Sequence, residues 1–178
     1  MKRILFLYGY NSGLDSGTFA VLKRVLENEE LAMDIIEYDQ NNPQQGVFDI
    51  DAYIEEHHIA GVIGHSLGGF FALCLSADIP MLVINPCLHP CAEMVKLDAG
   101  NELAARYAGL ERYLEDGGPL RALDNVFGLF GDNDELFDYY DEFVGIYGQC
   151  AMRIKSCHRP TLESFTDDVI VKIRAFFN

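Results

Sequence analysis

Short apolar runs alternate along the chain with segments of helical period. The strand candidates are Ile4–Gly9, Met33–Tyr38, Gly61–Gly64, Met81–Ile84, Val126–Phe130 and Ala151–Lys155. Several are apolar at consecutive positions, the pattern of strands covered on both faces rather than one. Between them Phe19, Leu22 and Val25/Leu26 recur at helical spacing, as do Ile50, Tyr53 and Ile54. A last stripe of Leu162, Phe165, Val169, Ile173 and Phe176 predicts a C-terminal helix starting at Pro160-Thr161. Strands that alternate with helices imply an α/β fold, with about six parallel strands and helices on both faces.

One stretch breaks the rhythm. Cys87 to Arg121 contains no convincing strand but has helix formers, including Glu93-Met94-Val95-Lys96 and Glu102 to Tyr107, closed by Gly117-Gly118-Pro119. An insertion of this length between sheet strands is expected to sit over their carboxyl ends as a helical lid.

Composition narrows the partners. The 178 residues carry 13 Lys+Arg against 28 Asp+Glu, a formal charge of −15. That sign argues against nucleic acid and anionic membrane, which both need a cationic surface. At 49% hydrophobic the chain can bury a core, and its length suits a single domain over residues 1–178. The run Ile4 to Tyr8 is too short for a signal-peptide core, and no apolar stretch approaches the ~18–20 residues of a membrane span. The five cysteines, an odd number in a chain that needs no staples, fit reduced thiols, so a cytoplasmic location is expected.

The chemistry concentrates at Gly64-His65-Ser66-Leu67-Gly68, which follows one strand candidate and leads into the apolar run Phe70 to Leu75. Strand, tight turn and helix are the setting of a nucleophile elbow, which lifts a serine hydroxyl above the sheet. A serine needs a base to take its proton. Of five histidines, His65 adjoins the nucleophile, so its side chain is expected to point elsewhere, and His57 and His58 belong at the amino end of the sheet. His158, in the loop after the last strand, is the predicted base, with His89 at the start of the insertion as competitor. The loop Gly131-Asp132-Asn133-Asp134-Glu135-Leu136 supplies the acid that orients the base. Asp134 is the choice and Asp132 the competitor; Asp138 is expected on a helix, facing solvent. The oxyanion would be met by two backbone N–H groups, from Leu67 and from Tyr10 in the turn Gly9 to Gly13.

These segments carry a resemblance. Tyr8-Gly9-Tyr10-Asn11-Ser12, Gly64 to Gly69, Val83-Ile84-Asn85-Pro86, Gly131 to Asp134 and the His158 segment resemble the small α/β-hydrolase esterases of the YqiA type. The resemblance implies Ser66, Asp134 and His158 as a triad and activity on acyl esters or thioesters. Where that family has a His before the glycine of the oxyanion turn, this chain has Tyr8, and its acid loop is longer than the family's Gly-Asp-Glu form.

Other features fit blander roles. Cys87-x-His89-x-Cys91 has no second ligand pair for a closed zinc site, and Cys157 is expected to face away from its neighbour His158. Phe137, Tyr139, Tyr140, Phe143 and Tyr147 have the spacing of packing residues, and no phosphate-binding glycine motif is present. The expectation is a serine esterase without metal or cofactor, acting on a small-molecule ester or thioester. The alternatives are an acyl-CoA thioesterase, with Lys96, Arg106, Arg112 and Arg121 as scattered candidate cations, and a non-catalytic binding protein on a hydrolase fold. The acidic surface favours neutral or weakly charged esters over polyanions.

Overall fold

A computed structural model describes residues 1–119 and 123–178. Six strands, β1 (Lys2–Leu7), β2 (Leu31–Ile35), β3 (Gly61–His65), β4 (Met81–Ile84), β5 (Val126–Gly131) and β6 (Ala151–Ile154), form one sheet in the order β2-β1-β3-β4-β5-β6. Every neighbouring pair is parallel. The central runs Ile4–Leu7, Gly61–His65 and Met81–Ile84 are buried throughout, whereas the edge strands β2 and β6 are only partly covered. Their apolar character therefore follows from a position between two helix layers.

The helices are α1 (Gly17–Leu26), α2 (Pro43–His57), α3 (Leu67–Cys74), α4 (Pro90–Lys96), α5 (Asn101–Ala105), α6 (Ala108–Glu115), α7 (Tyr140–Tyr147) and α8 (Asp167–Phe176). α1 and α8 lie together on one face, while α2, α3 and α6 pack on the other. The capping follows local chemistry. Ser16 accepts from the N–H of Phe19 at the start of α1, and Pro43 opens α2, where a missing N–H costs nothing.

β3, β5 and β6 end within one residue of the apolar pattern, whereas β1, β2 and the last helix depart from it further. β1 starts at Lys2 and stops at Leu7, because Tyr8 and Gly9 leave the ladder for a turn; the Tyr8 carbonyl accepts instead from the hydroxyl of Tyr38. For the same reason β2 ends at Ile35, short of Tyr38, whose side chain is spent on that turn. The C-terminal stripe is not one helix. Thr161 N–H donates to Ser164 Oγ and closes a 3₁₀ turn at Leu162–Ser164, Phe165 leaves helical geometry, and α8 begins only after Thr166. Val169, Ile173 and Phe177 then fill the core, while Leu162 remains exposed.

The insertion forms α4, α5 and α6, and its anchor is Tyr107, fully buried with its ring 6.0 Å from both Phe70 and Phe71 of α3. The Tyr107 hydroxyl donates to Gln40 O at 2.6 Å. So the insertion rests on the face of α3 and reaches the carboxyl end of the sheet through Leu97. Its expected end, Arg121, lies outside the described residues. Among the described residues no helix is long and apolar enough to cross a membrane.

Candidate active site

β3 ends at His65 and α3 begins at Leu67, so a single residue, Ser66, makes the whole turn. Its backbone sits at φ 56° and ψ −122°, a left-handed region that costs a non-glycine residue about 1–3 kcal/mol. The surroundings hold it there: Ser66 N–H donates to Ile84 O at 3.0 Å, and Ser66 O accepts from Gly69 N at 2.9 Å and Cys87 N at 3.0 Å. The turn also needs α3 to cross β1 at backbone distance. A Cβ on Gly68 would stand 2.1 Å from Leu7 O, which no side chain tolerates.

The turn after β1 closes on the same serine. A Cβ on Gly9 would lie 2.9 Å from Ser66 Cβ, so only glycine lets the two backbones meet. Gly9 O accepts from Ser12 N at 3.2 Å, and the Gln40 amide spans the Tyr8 and Gly9 carbonyls at 3.4 and 3.3 Å. Tyr8 is buried, with its ring 4.8 Å from that of Tyr38. Burial holds the Tyr38 phenol well above its usual pKa, so it remains a donor to the Tyr8 carbonyl. Tyr10 lines the pocket beside Ser66, and Leu67, first residue of α3, has an N–H that the helix does not use.

His158 stands in the loop after β6, and both of its ring nitrogens are engaged. Nε2 lies 2.9 Å from Ser66 Oγ, and Nδ1 lies 2.9 Å from Asp134 Oδ2. The two side chains, at 5% and 3% exposure, are shielded from water, which strengthens the pair. The second oxygen of Asp134 accepts from Leu136 N at 2.8 Å and Phe137 N at 3.2 Å, which fixes the carboxylate. Phe137 also sets its ring edge-on to the imidazole at 4.9 Å, so this aromatic packs against the site rather than on α7.

The competitors stand elsewhere. Asp132 is exposed and accepts from Ser156 N at 3.2 Å. His89 caps α4 and bonds Glu142 Oε1 at 2.8 Å in solvent. Asp138 is exposed as expected but lies before α7, where it caps Tyr140 and pairs with Arg153. The Cys157 thiol is exposed, 3.9 Å from Asn133 Nδ2.

His65 does not point away, as its adjacency to Ser66 suggested. Its side chain runs beneath His158, with ring centroids 5.1 Å apart and Nε2 2.8 Å from the His158 carbonyl oxygen. Asn85, one residue beyond β4 and at φ 44°, donates to the same oxygen at 2.9 Å and to Cys157 O at 3.1 Å, and accepts from Gly131 N at 2.6 Å. Glu135 accepts from His158 N at 2.9 Å, and that bond draws its carboxyl below the usual range. Sequence reasoning missed these roles. The one available signal was a polar residue, Asn85, ending a wholly apolar run.

Burial, and secondarily the nearby His158, pushes the His65 pKa down to about 4 from 6.5. The ring is therefore neutral at pH 7 and donates Nε2–H to the carbonyl. In the unfolded chain it takes a proton near 6.5, so stability falls as pH drops from about 6.5 to about 4, by about 3 kcal/mol. His65→Gln lacks this group. Urea unfolding of parent and variant from pH 7 to pH 4 should move the parent's stability down relative to the variant's by about that amount. A difference independent of pH would contradict the buried neutral imidazole.

Above Ser66 opens a pocket of about 880 Å³. Gly9–Ser12 and Asp15–Thr18 line it together with His158 to Glu163, Leu97 and Leu136. Among the described residues Arg159 is its only Lys or Arg, against Asp15 and Glu163.

A parallel sheet in this order, with a strand–serine–helix elbow after its third strand and helices on both faces, defines the α/β-hydrolase class of folds. Similar solved structures bear this out. Est1E from Butyrivibrio proteoclasticus superposes with a TM-score of 0.72 at 18% identity, over 98% of this chain and 88% of that one. The structure of Est1E with ferulic acid bound gives 0.70 at 15% identity, covering 98% and 89%. The ydeN gene product of B. subtilis gives 0.69 at 14% identity, over 99% of each chain. The chain belongs to the uncharacterised protein family UPF0227, whose model matches residues 3–177 and bears out the YqiA-type resemblance.

Proposed function

We propose that the protein is a serine esterase. The observation that carries this reading is the hydrogen-bonded row from Ser66 through His158 to Asp134, two contacts of 2.9 Å at the floor of an open pocket. As His158 Nε2 takes the hydroxyl proton, Ser66 Oγ attacks the acyl carbonyl. The carbonyl oxygen becomes an oxyanion stabilised by the N–H groups of Leu67 and Tyr10. Its collapse breaks the bond to the alcohol, which leaves with the proton from His158, and an acyl-serine remains. Water then repeats the sequence: His158 takes its proton, the hydroxide adds, and the acid departs as Ser66 regains its hydrogen. Asp134 holds the Nδ1–H tautomer and offsets the imidazolium charge in both halves.

One similar structure holds ferulic acid and others are named as a carboxylesterase and an esterase domain, which supports a small-molecule ester as substrate. The pocket wall does not favour an acyl-CoA. Lys96 is paired with Glu93 and Arg106 with Glu102, neither they nor Arg112 line the pocket, and Arg159 alone faces several phosphates' worth of charge. Arg121 lies outside the described residues. One sheet that takes strands from both ends of the chain supports a single domain over residues 1–178, and Leu97 in the pocket lining supports a lid role for the described part of the 87–121 insertion.

A fluorophosphonate probe should label the parent and leave Ser66→Ala unlabelled, alongside hydrolysis of a graded panel of acyl esters that vanishes in the variant. Equal labelling of both proteins would sink the assignment. Preference for CoA thioesters over esters of the same acyl group would replace esterase by thioesterase.

A further inference from the structure

The reaction above makes no use of the buried imidazole of His65. His65 is 5% exposed, and a polar ring so enclosed needs a partner for each N–H it carries. Its partner is neither substrate nor nucleophile but the carbonyl oxygen of His158. That residue most needs holding: it lies on a loop between β6 and a 3₁₀ turn, outside any ladder, yet its ring must keep two short contacts at once. A base displaced by about 1 Å can lose ~10²-fold in rate.

We propose that His65 is a positioning residue for the base: from the strand that ends in Ser66, it and Asn85 grip the His158 carbonyl oxygen and hold its imidazole between Ser66 and Asp134. The proposal rests on the reading of these three residues as the reacting groups. The geometry carries it. His65 precedes the nucleophile on β3, so the base loop is tied to the same rigid element as the atom it must deprotonate. Asn85 ties that loop to the end of β4 and, through Gly131 N, to the strand that leads to Asp134. The strand that carries the nucleophile thus meets the base loop at one oxygen atom, and the strand that leads to the acid reaches that oxygen through Asn85.

The donor must also be uncharged. His158 becomes an imidazolium during the reaction, and a second cation with its ring centre 5.1 Å away would oppose that charge. Arg159 already adds positive potential there and Asp134 negative. A neutral amide meets the same requirement as a neutral imidazole, and an apolar side chain does not.

The test compares the full-length parent with His65→Gln and His65→Met, each checked by thermal melting, on a short-chain p-nitrophenyl ester. His65→Met should lower kcat by about 10- to 100-fold with KM within about twofold, while His65→Gln stays within about threefold of the parent. The low-field proton resonance of the His158 Nδ1–H shared with Asp134 should persist in parent and His65→Gln, and broaden or vanish in His65→Met. Near-parental kcat and an intact resonance in His65→Met would overturn the proposal. So would a loss of about tenfold or more in kcat in a well-folded His65→Gln, an outcome that decides the matter even if His65→Met fails to fold. If the parent hydrolyses no ester, the esterase reading fails by itself, and the resonance still decides whether His65 positions His158.

Discussion

Ser66→Ala is expected to lower kcat for ester hydrolysis by about 10⁶-fold, His158→Ala by a similar factor, and the double variant by little more. In the proposed mechanism the two residues act in one event. Ser66 Oγ and His158 Nε2 stand 2.9 Å apart in a site where each side chain is over nine-tenths buried. A serine that keeps its proton cannot attack at a useful rate, and a base with no hydroxyl beside it has nothing to activate. What should remain is water attack assisted by the proposed backbone donors at Leu67 and Tyr10, common to all three variants, which leaves about 10³–10⁴-fold over the uncatalysed reaction. Rates measured on one ester with all three proteins check this. If the single losses multiply in the double variant, Ser66 and His158 act separately and the mechanism is wrong.

Asp134→Asn should cost about 10⁴-fold in kcat, with little loss of stability, whereas Asp132→Asn should stay within about threefold. The hydrogen bonds dictate the difference. Asp134 Oδ1 accepts two backbone N–H groups, from Leu136 at 2.8 Å and Phe137 at 3.2 Å, and Oδ2 faces His158 Nδ1. An asparagine must put its carbonyl oxygen where the two N–H groups point. Its NH₂ then faces Nδ1 and forces the proton onto Nε2, the nitrogen that has to accept from Ser66. The amide fits the space and selects the wrong tautomer. The Asp132 carboxylate accepts from Ser156 N, which an amide oxygen accepts equally well. Matching losses in the two variants, or a larger one for Asp132→Asn, would move the acid to the competing position.

The choice between these carboxylates shows where reading the chain alone stopped. Asp132 and Asp134 lie two residues apart in one turn after β5, are the same chemical type, and follow the nucleophile in the same order. Local pattern has nothing to separate them. Only the path of the turn, set by Asp132 N donating to Ile154 O and Asn133 N to Ser156 O, leaves one carboxylate outside and brings the other under the imidazole. His65 is the sharper case. Adjacency to Ser66 suggested a side chain facing elsewhere, but the reversed backbone at Ser66, with its positive φ, puts residues 65 and 66 on the same side of the sheet's end.

What the sequence determined by itself is what spacing along the chain determines physically. Consecutive apolar residues at Ile4–Leu7, Gly61–Gly64 and Met81–Ile84 have no solvent-facing side, so they must lie between two layers, and the alternation with helices makes the sheet parallel. The glycines around Ser66 announce a close crossing because nothing larger fits. The tertiary structure alone decided the rest. It chose which carboxylate meets His158, stopped β1 and β2 early so that Tyr38 could serve the turn at Tyr8, and broke the last helix at Phe165. It seated the insertion on α3 through Tyr107, and joined three strand ends at the carbonyl of His158 through Asn85 and His65. Each of these depends on contacts between residues far apart in the chain, and no local period encodes such contacts.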